Sequence, residues 1–124
     1  MPSLNRIQLI GRLGKDPSPY ETKKGIKGTH FSLAVDRRWR DAAGKVQHDT
    51  DWFNVEAWGR LGEFCQEYLS KGRLVYVEGR LHTDRYEQGG EIRYFTKVVI
   101  SNMQILDRKP EEEPVEETDE PSIE

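Results

Sequence analysis

Leu61, Phe64, Cys65, Tyr68 and Leu69 fall at i, i+3, i+4, i+7 and i+8, the apolar stripe of a short amphipathic helix. Lys71 falls in the last turn of this helix and Gly72 at its C-cap position, as a helix end prefers. The segments before and after it alternate with period two, as strands do. A lone helix set among strands leaves few architectures open, so the count of strands on each side decides the fold.

Leu4 to Leu13 reads as a first strand, with Ile7, Leu9 and Leu13 on one face and Arg6 and Gln8 on the other. Residues 14 to 28 carry prolines, glycines and lysines and read as a loop or a loosely paired hairpin. A second strand begins at Thr29, where Phe31, Leu33 and Val35 alternate with His30, Ser32 and Ala34. Asp36 to Thr50 is too polar and irregular to predict an element, and an ordered loop of that length is usually functional. Trp52 to Gly59, Trp-Phe-Asn-Val-Glu-Ala-Trp-Gly, is the third strand, with Phe53, Val55 and Ala57 on the core face.

Beyond the helix, Arg73 to Tyr86 reads as a long fourth strand. Val75, Val77 and Leu81 point inward, Tyr76, Glu78, Arg80 and His82 outward, and Gly79 marks a bulge or bend. Glu87 to Glu91 is a hairpin turn around Gly89-Gly90, and Ile92 to Ser101 is the fifth strand, with room for a short terminal one at Gln104 to Leu106. Three strands, a helix and two strands predict an all-β fold: a five-stranded Greek-key barrel of the OB type, with one short helix between strands 3 and 4 plugging its end. A split or SH3-like barrel gives no natural place to such a helix.

After Asp107 the chain has prolines and acids but no aromatic residue, and too little apolar surface to offset its ordering entropy. The expected organisation is one domain over residues 1–108 and a disordered acidic tail over 109–124. The tail also corrects the formal charge of −3: all 19 basic residues lie in 1–109 against 14 of the 22 acidic ones, a net of +5 there. A mildly basic body can attract a polyanion. With no signal-peptide or membrane-spanning apolar run, the expected location is the cytoplasm, with no membrane partner.

Catalytic chemistry finds no residues here. The single cysteine sits inside the helix stripe, and the three histidines have no metal-ligand spacing, so neither a metal nor a cofactor is expected. Gly25-Ile-Lys-Gly28 matches the KH-domain loop but is flanked by strands rather than helices, no phosphate-binding glycine loop occurs, and Asp49 and Asp51 lack a base or metal partner.

The remaining signal lies in the aromatic residues. Trp52 and Trp58 stand on the polar face of their strand with Asn54 and Glu56, Trp39 lies among Arg37, Arg38 and Arg40, and Tyr86 follows Arg85. A lone exposed tryptophan is ordinarily a packing residue and an arginine run a solvated face, and Tyr20, Tyr76 and Tyr94 read as packing or interface residues. The coincidence of all three tryptophans with basic neighbours, out of register with the core, instead predicts a surface for single-stranded nucleic acid. Rings cover unstacked bases and cations meet phosphates. An oligosaccharide-binding barrel is the competing reading, since rings stack on sugars too, and the basic body argues against it.

Several runs then carry a closer likeness: Asn5 to Pro17, Trp39-Arg40-Asp41, Thr50-Asp51-Trp52, Trp58-Gly59-Arg60-Leu61, Glu67 to Gly72 and Val75 to Leu81. From about residue 4 to residue 106 these closely resemble the bacterial single-stranded DNA-binding protein family. The resemblance implies a homotetrameric OB fold that wraps single-stranded DNA in replication, recombination and repair. It puts stacking rings at Trp39, Trp52, Trp58 and Tyr86 and phosphate contacts at Arg40, Arg60, Lys71 and Arg85, to which position adds Arg38. Asn54, His82 and Asp84 stand where a familiar member is basic. The family's acidic tail commonly ends Ile-Pro-Phe and docks replication and repair proteins, whereas this chain ends Pro121-Ser122-Ile123-Glu124.

Overall fold

The computed structural model describes residues 1–107, so the expectation of a disordered tail over 109–124 lies outside the described residues. The chain runs β1 (Ile7–Leu13), β2 (Ser18–Glu21), β3 (Lys27–Arg40), β4 (Val46–Trp58), α1 (Gly59–Tyr68), β5 (Leu74–Gln88) and β6 (Glu91–Ile105). Strand order is β1-β5-β6-β4-β3-β2, and an additional β1–β3 pairing closes the sheet. The closed barrel therefore consists of β1, β3, β4, β5 and β6, the expected Greek-key OB arrangement with α1 between its third and fourth strands. β2 is a short addition that pairs with the start of β3 from Ser18↔His30 to Glu21↔Lys27, which makes residues 18–30 a hairpin.

Closure needs sharp bending, and Gly79 supplies it. The β5–β6 register jumps there from Glu78↔Asn102 to Gly79↔Ile100, leaving Ser101 unpaired. A Cβ at Gly79 would collide with the Val99 carbonyl oxygen and lie 2.6 Å from Ile100 Cα, so only glycine lets the strands approach this closely.

Inside the barrel, Leu13, Phe31, Leu33, Val55, Ala57, Val75, Val77, Val98, Ile100 and Met103 form the core, with Cys65 and Leu69 added from the helix end. Fully burying each large aliphatic among them contributes about 1.5–3 kcal/mol relative to exposure. The helix leans on the barrel through Gly62 and Cys65, and Thr29 Oγ1 donates to the Gly62 carbonyl at 2.8 Å.

Five expectations change. The polar segment 36–50 is not a loop: β3 and β4 continue as a paired hairpin to Arg40↔Val46, and only residues 41–45 turn. That hairpin stands clear of the barrel with water on both faces, so it needs no apolar alternation. Its turn is held by Asp41, whose carboxylate accepts Gln47 Nε2 at 3.0 Å and the Lys45 and Ala43 N–H groups at 2.9 Å; these bonds hold its pKa below the usual carboxylate range.

Leu81 is exposed rather than inward, because β5 runs past the barrel rim after the Gly79 bulge. The helix stops at Tyr68 with Leu69 as its C-cap, so Lys71 and Gly72 belong to the following turn. Phe64 and Tyr68 lie exposed on the outer side of the helix, their ring centroids 4.7 Å apart. A ten-residue helix resting on one barrel end buries only an edge of its stripe. Finally, β6 is a single strand through Ile105, with no separate terminal one.

Candidate nucleic-acid interface

Pleating sorts the side chains of β4. Val55 and Ala57 are buried and Phe53 packs against the core, while Trp52, Asn54, Glu56 and Trp58 take the other face. Directly opposite partners on β3 share that face, and they are small or polar: Ala34, Ser32, His30 and Gly28. The tryptophans are thus seated where the neighbouring chain leaves room. A Cβ at Gly14 would lie 2.5 Å from Trp52 Cζ3, and one at Gly28 would lie 2.6 Å from Trp58 Cε3. Trp52 is 60% exposed; Trp58 is half-buried.

Trp58 is also held by polar contacts. Its Nε1 donates to Glu56 Oε1 at 3.0 Å, and Tyr20 packs edge-on at 5.4 Å between centroids. Glu56 is buried, and its second oxygen accepts from Lys97 Nζ at 2.7 Å. Lys97 reaches Asp84 as well, at 2.9 Å, and Asp84 accepts from or pairs with His82 at 3.1 Å. Burial alone would lower the Lys97 pKa, but its hydrogen bonds to Glu56 and Asp84 prevail and raise it; the bond to Lys97 lowers that of Asp84. This chain of ionic bonds stitches the outer faces of β4, β5 and β6 together.

The β5–β6 register carries the face further. His82 lies opposite Lys97, Asp84 opposite Phe95 and Tyr86 opposite Arg93, so Tyr86 and Phe95 share the side on which Lys97 meets Glu56. Both rings are exposed. Arg85 lies on the reverse side with Tyr94, its partner in register.

Of the residues singled out from sequence, Trp52, Trp58 and Tyr86 come together on one face. Arg38 and Arg40 follow Ala34 in the same pleat of β3, out on the projecting hairpin. Trp39 does not join them: it shares the pleat of Leu33 and Val35, in register with the core but beyond the rim, and Arg37 Cζ sits 4.8 Å from its ring centroid. Arg60 is exposed in the first turn of α1, two residues after Trp58. Lys71 lies on a turn whose backbone bonds to Asp16 Oδ1 at 2.8 Å and, through Gly72, to the Leu13 carbonyl at 2.9 Å, next to the Gly14 that Trp52 covers. Among the described residues, Arg38, Arg60, Lys71 and Arg85 form no ion pair.

Two rings of this face escape the sequence reading. Tyr20 reads as a packing residue, yet it lies opposite Gly28 in register and touches Trp58; an aromatic residue ahead of a glycine-bounded hairpin is the available signal. Phe95 sits in Ile92-Arg93-Tyr94-Phe95-Thr96, where apolar residues do not alternate, so no face can be assigned from sequence.

The fold and this surface define a class: an OB-type barrel that presents exposed aromatic rings on its outer strands, with cations that form no ion pair among the described residues around them. Comparison with known proteins narrows the class. The model of the Single-strand binding protein family matches residues 4–106, and the chain belongs to that family, whose members are DNA-binding proteins rather than enzymes. It is 45% identical over 121 residues to the single-stranded DNA-binding protein of Thermotoga maritima, covering 97% of this chain and 85% of that one. It is 42% identical over 108 residues to single-stranded DNA-binding protein 1 of Chlorobaculum tepidum, covering 86% and 67%. Among solved structures, a Plasmodium falciparum SSB in complex with ssDNA superposes with a TM-score of 0.79 at 34% identity, covering 86% of this chain and 98% of that one.

Proposed function

We propose that this chain binds single-stranded DNA without a sequence requirement and protects it, supporting replication, recombination and repair. The observation that carries this reading is the pair of indoles, Trp52 and Trp58, set outward on one strand over Gly14 and Gly28. Each base stacked on such a ring contributes roughly 1–3 kcal/mol, whatever its identity. In this reading Tyr86 and Trp39 extend the stacking surface along the two projecting hairpins, and Arg38, Arg40, Arg60, Lys71 and Arg85 meet the phosphates. Relatives named single-stranded DNA-binding protein support it, as does the basic balance of residues 1–109.

By family, we further propose a homotetramer acting in the cytoplasm in association with the nucleoid. Residues 1–108 would form the binding domain, and the acidic segment 109–124 would recruit replication and repair proteins.

Binding of a labelled oligothymidine, followed by anisotropy across a salt series, tests the reading. The affinity is expected to fall steadily with salt as counterions are released, and an oligosaccharide should not compete. No binding at low salt, or displacement by the glycan, would contradict it.

A further inference from the structure

On the outer face between β3, β4 and the β5–β6 hairpin lies a cleft of about 330 Å3, lined among others by Tyr20, Asn54, Glu56, Asp84, Phe95 and Lys97. It adjoins the Trp58 platform through Tyr20 and Glu56, so a strand lying on the tryptophans would pass over it. Its charge excludes a phosphate. Lys97 is already bonded to both Glu56, at 2.7 Å, and Asp84, at 2.9 Å, and the trio carries one negative charge more than positive. What suits a cleft with aromatic walls and an anionic floor is an uncharged flat group that donates hydrogen bonds.

The acceptors are available. Each oxygen of Glu56 and Asp84 has one protein partner: Trp58 and Lys97 on Glu56, His82 and Lys97 on Asp84. A carboxylate oxygen accepts about two bonds, so capacity remains on each. The exposed Asn54 amide makes no side-chain hydrogen bond among the described residues and adds a free carbonyl acceptor and free N–H donors. Cytosine and adenine carry an exocyclic amine that can donate to such carboxylates, as carboxylates accept from cytosine N4 elsewhere. Thymine presents a carbonyl oxygen at that position, which would face carboxylate oxygens, and its only ring donor is flanked by carbonyls.

Resting on the single-stranded DNA reading above, we propose that this cleft is a nucleobase subsite that favours bases with an exocyclic amine over thymine. The tryptophan platforms remain indifferent to sequence, so the subsite adds a compositional bias to an otherwise tolerant surface. It also sets the local orientation of the strand, with bases toward Glu56 and Asp84 and phosphates toward the outlying cations.

The test is the ratio of affinities for oligodeoxycytidine and oligothymidine of equal length, at one salt concentration and slightly alkaline pH, in wild type and in Glu56→Gln, Asp84→Asn and Asn54→Ala. Removing a negative charge strengthens binding to both oligomers and cancels in the ratio, as does any intrinsic difference in their stacking. The ratio of cytidine to thymidine affinity should fall by about threefold or more in Glu56→Gln and Asp84→Asn, the size of one net hydrogen bond. An unchanged ratio in both overturns the subsite even if both oligomers bind. Should Glu56→Gln fail to fold, Asp84→Asn and Asn54→Ala decide the matter, since neither residue lies in the core. Failure of wild type to bind either oligomer overturns the underlying reading and the subsite with it.

Discussion

The Trp52 indole lies against Gly14, at the end of β1 and across the barrel seam from its own strand, so that a Cβ on residue 14 would approach ring atom Cζ3 to 2.5 Å. The obstructed groups are the far end of an exposed side chain, which can swing into water, and the Ser32 hydroxyl at 2.9 Å, which can rotate away, both at little cost to the fold. Gly14→Ala is therefore expected to leave the melting temperature nearly unchanged while displacing the ring. Affinity for oligothymidine should drop by about threefold to tenfold, part of one stacking contribution. Equal affinity in the variant and wild type would mean that the seat of the ring does not matter.

Gly79 predicts the opposite balance. Here the obstacles are backbone atoms, the Val99 carbonyl oxygen and Ile100 Cα, which cannot move without reopening the β5–β6 pairing. Gly79→Ala should destabilise the protein by about 3 kcal/mol, at the upper end of overpacking costs, read from a denaturant midpoint. A midpoint equal to that of wild type would remove the bulge from the account of closure.

These two glycines also mark what sequence can convey. The period-two runs at Phe31, Leu33, Val55, Val75 and Val77, interrupted by one helical stripe, are enough to predict the barrel because the core enforces alternation. Gly79 is legible for the same reason, as an isolated glycine inside a strand. The projecting parts are not legible: Arg37 to Arg40 pair with Val46 to Asp49 as strands with both faces in water, so no apolar pattern announces them. Trp52 and Trp58 are readable because they break the pattern of a half-buried strand. The face of Trp39 is not legible because alternation loses its meaning past the rim, and Phe95 and Tyr20 join the site only through cross-strand register. Glu56 looks like an ordinary surface acid until Lys97, forty-one positions away, is placed beside it.

The Asp84–Lys97 pair has a pH signature. The bond to Lys97 holds Asp84 below its ordinary pKa, so its contribution is present above the unfolded value of about 3.9 and is lost as pH falls through the lower folded value. Lys97 is raised, so its contribution is present below about 10.4 and is lost as pH rises through the folded value. Asp84→Asn should accordingly melt slightly below wild type across the neutral range, with the gap small because the pair is partly solvated. The gap should close in acid below the carboxylate range; a gap that persists there would assign it to something other than this charge.

Cys65 is fully buried on the barrel-facing side of α1, and burial pushes its thiol up to about 11. It should resist a thiol reagent near pH 8 in the native protein and react fully once denaturant opens the barrel end. Fast labelling without denaturant would place the helix elsewhere or show that it opens readily.

The claim on which the rest depends is that Trp52 and Trp58 are the stacking platforms, and titrating intrinsic tryptophan emission with oligothymidine at low salt measures it directly. Strong quenching is predicted for wild type and for Trp39→Phe, with most of it lost in the Trp52→Phe, Trp58→Phe double variant, where Trp39 alone reports. Undiminished fractional quenching in that double variant, or none in wild type, would contradict the account.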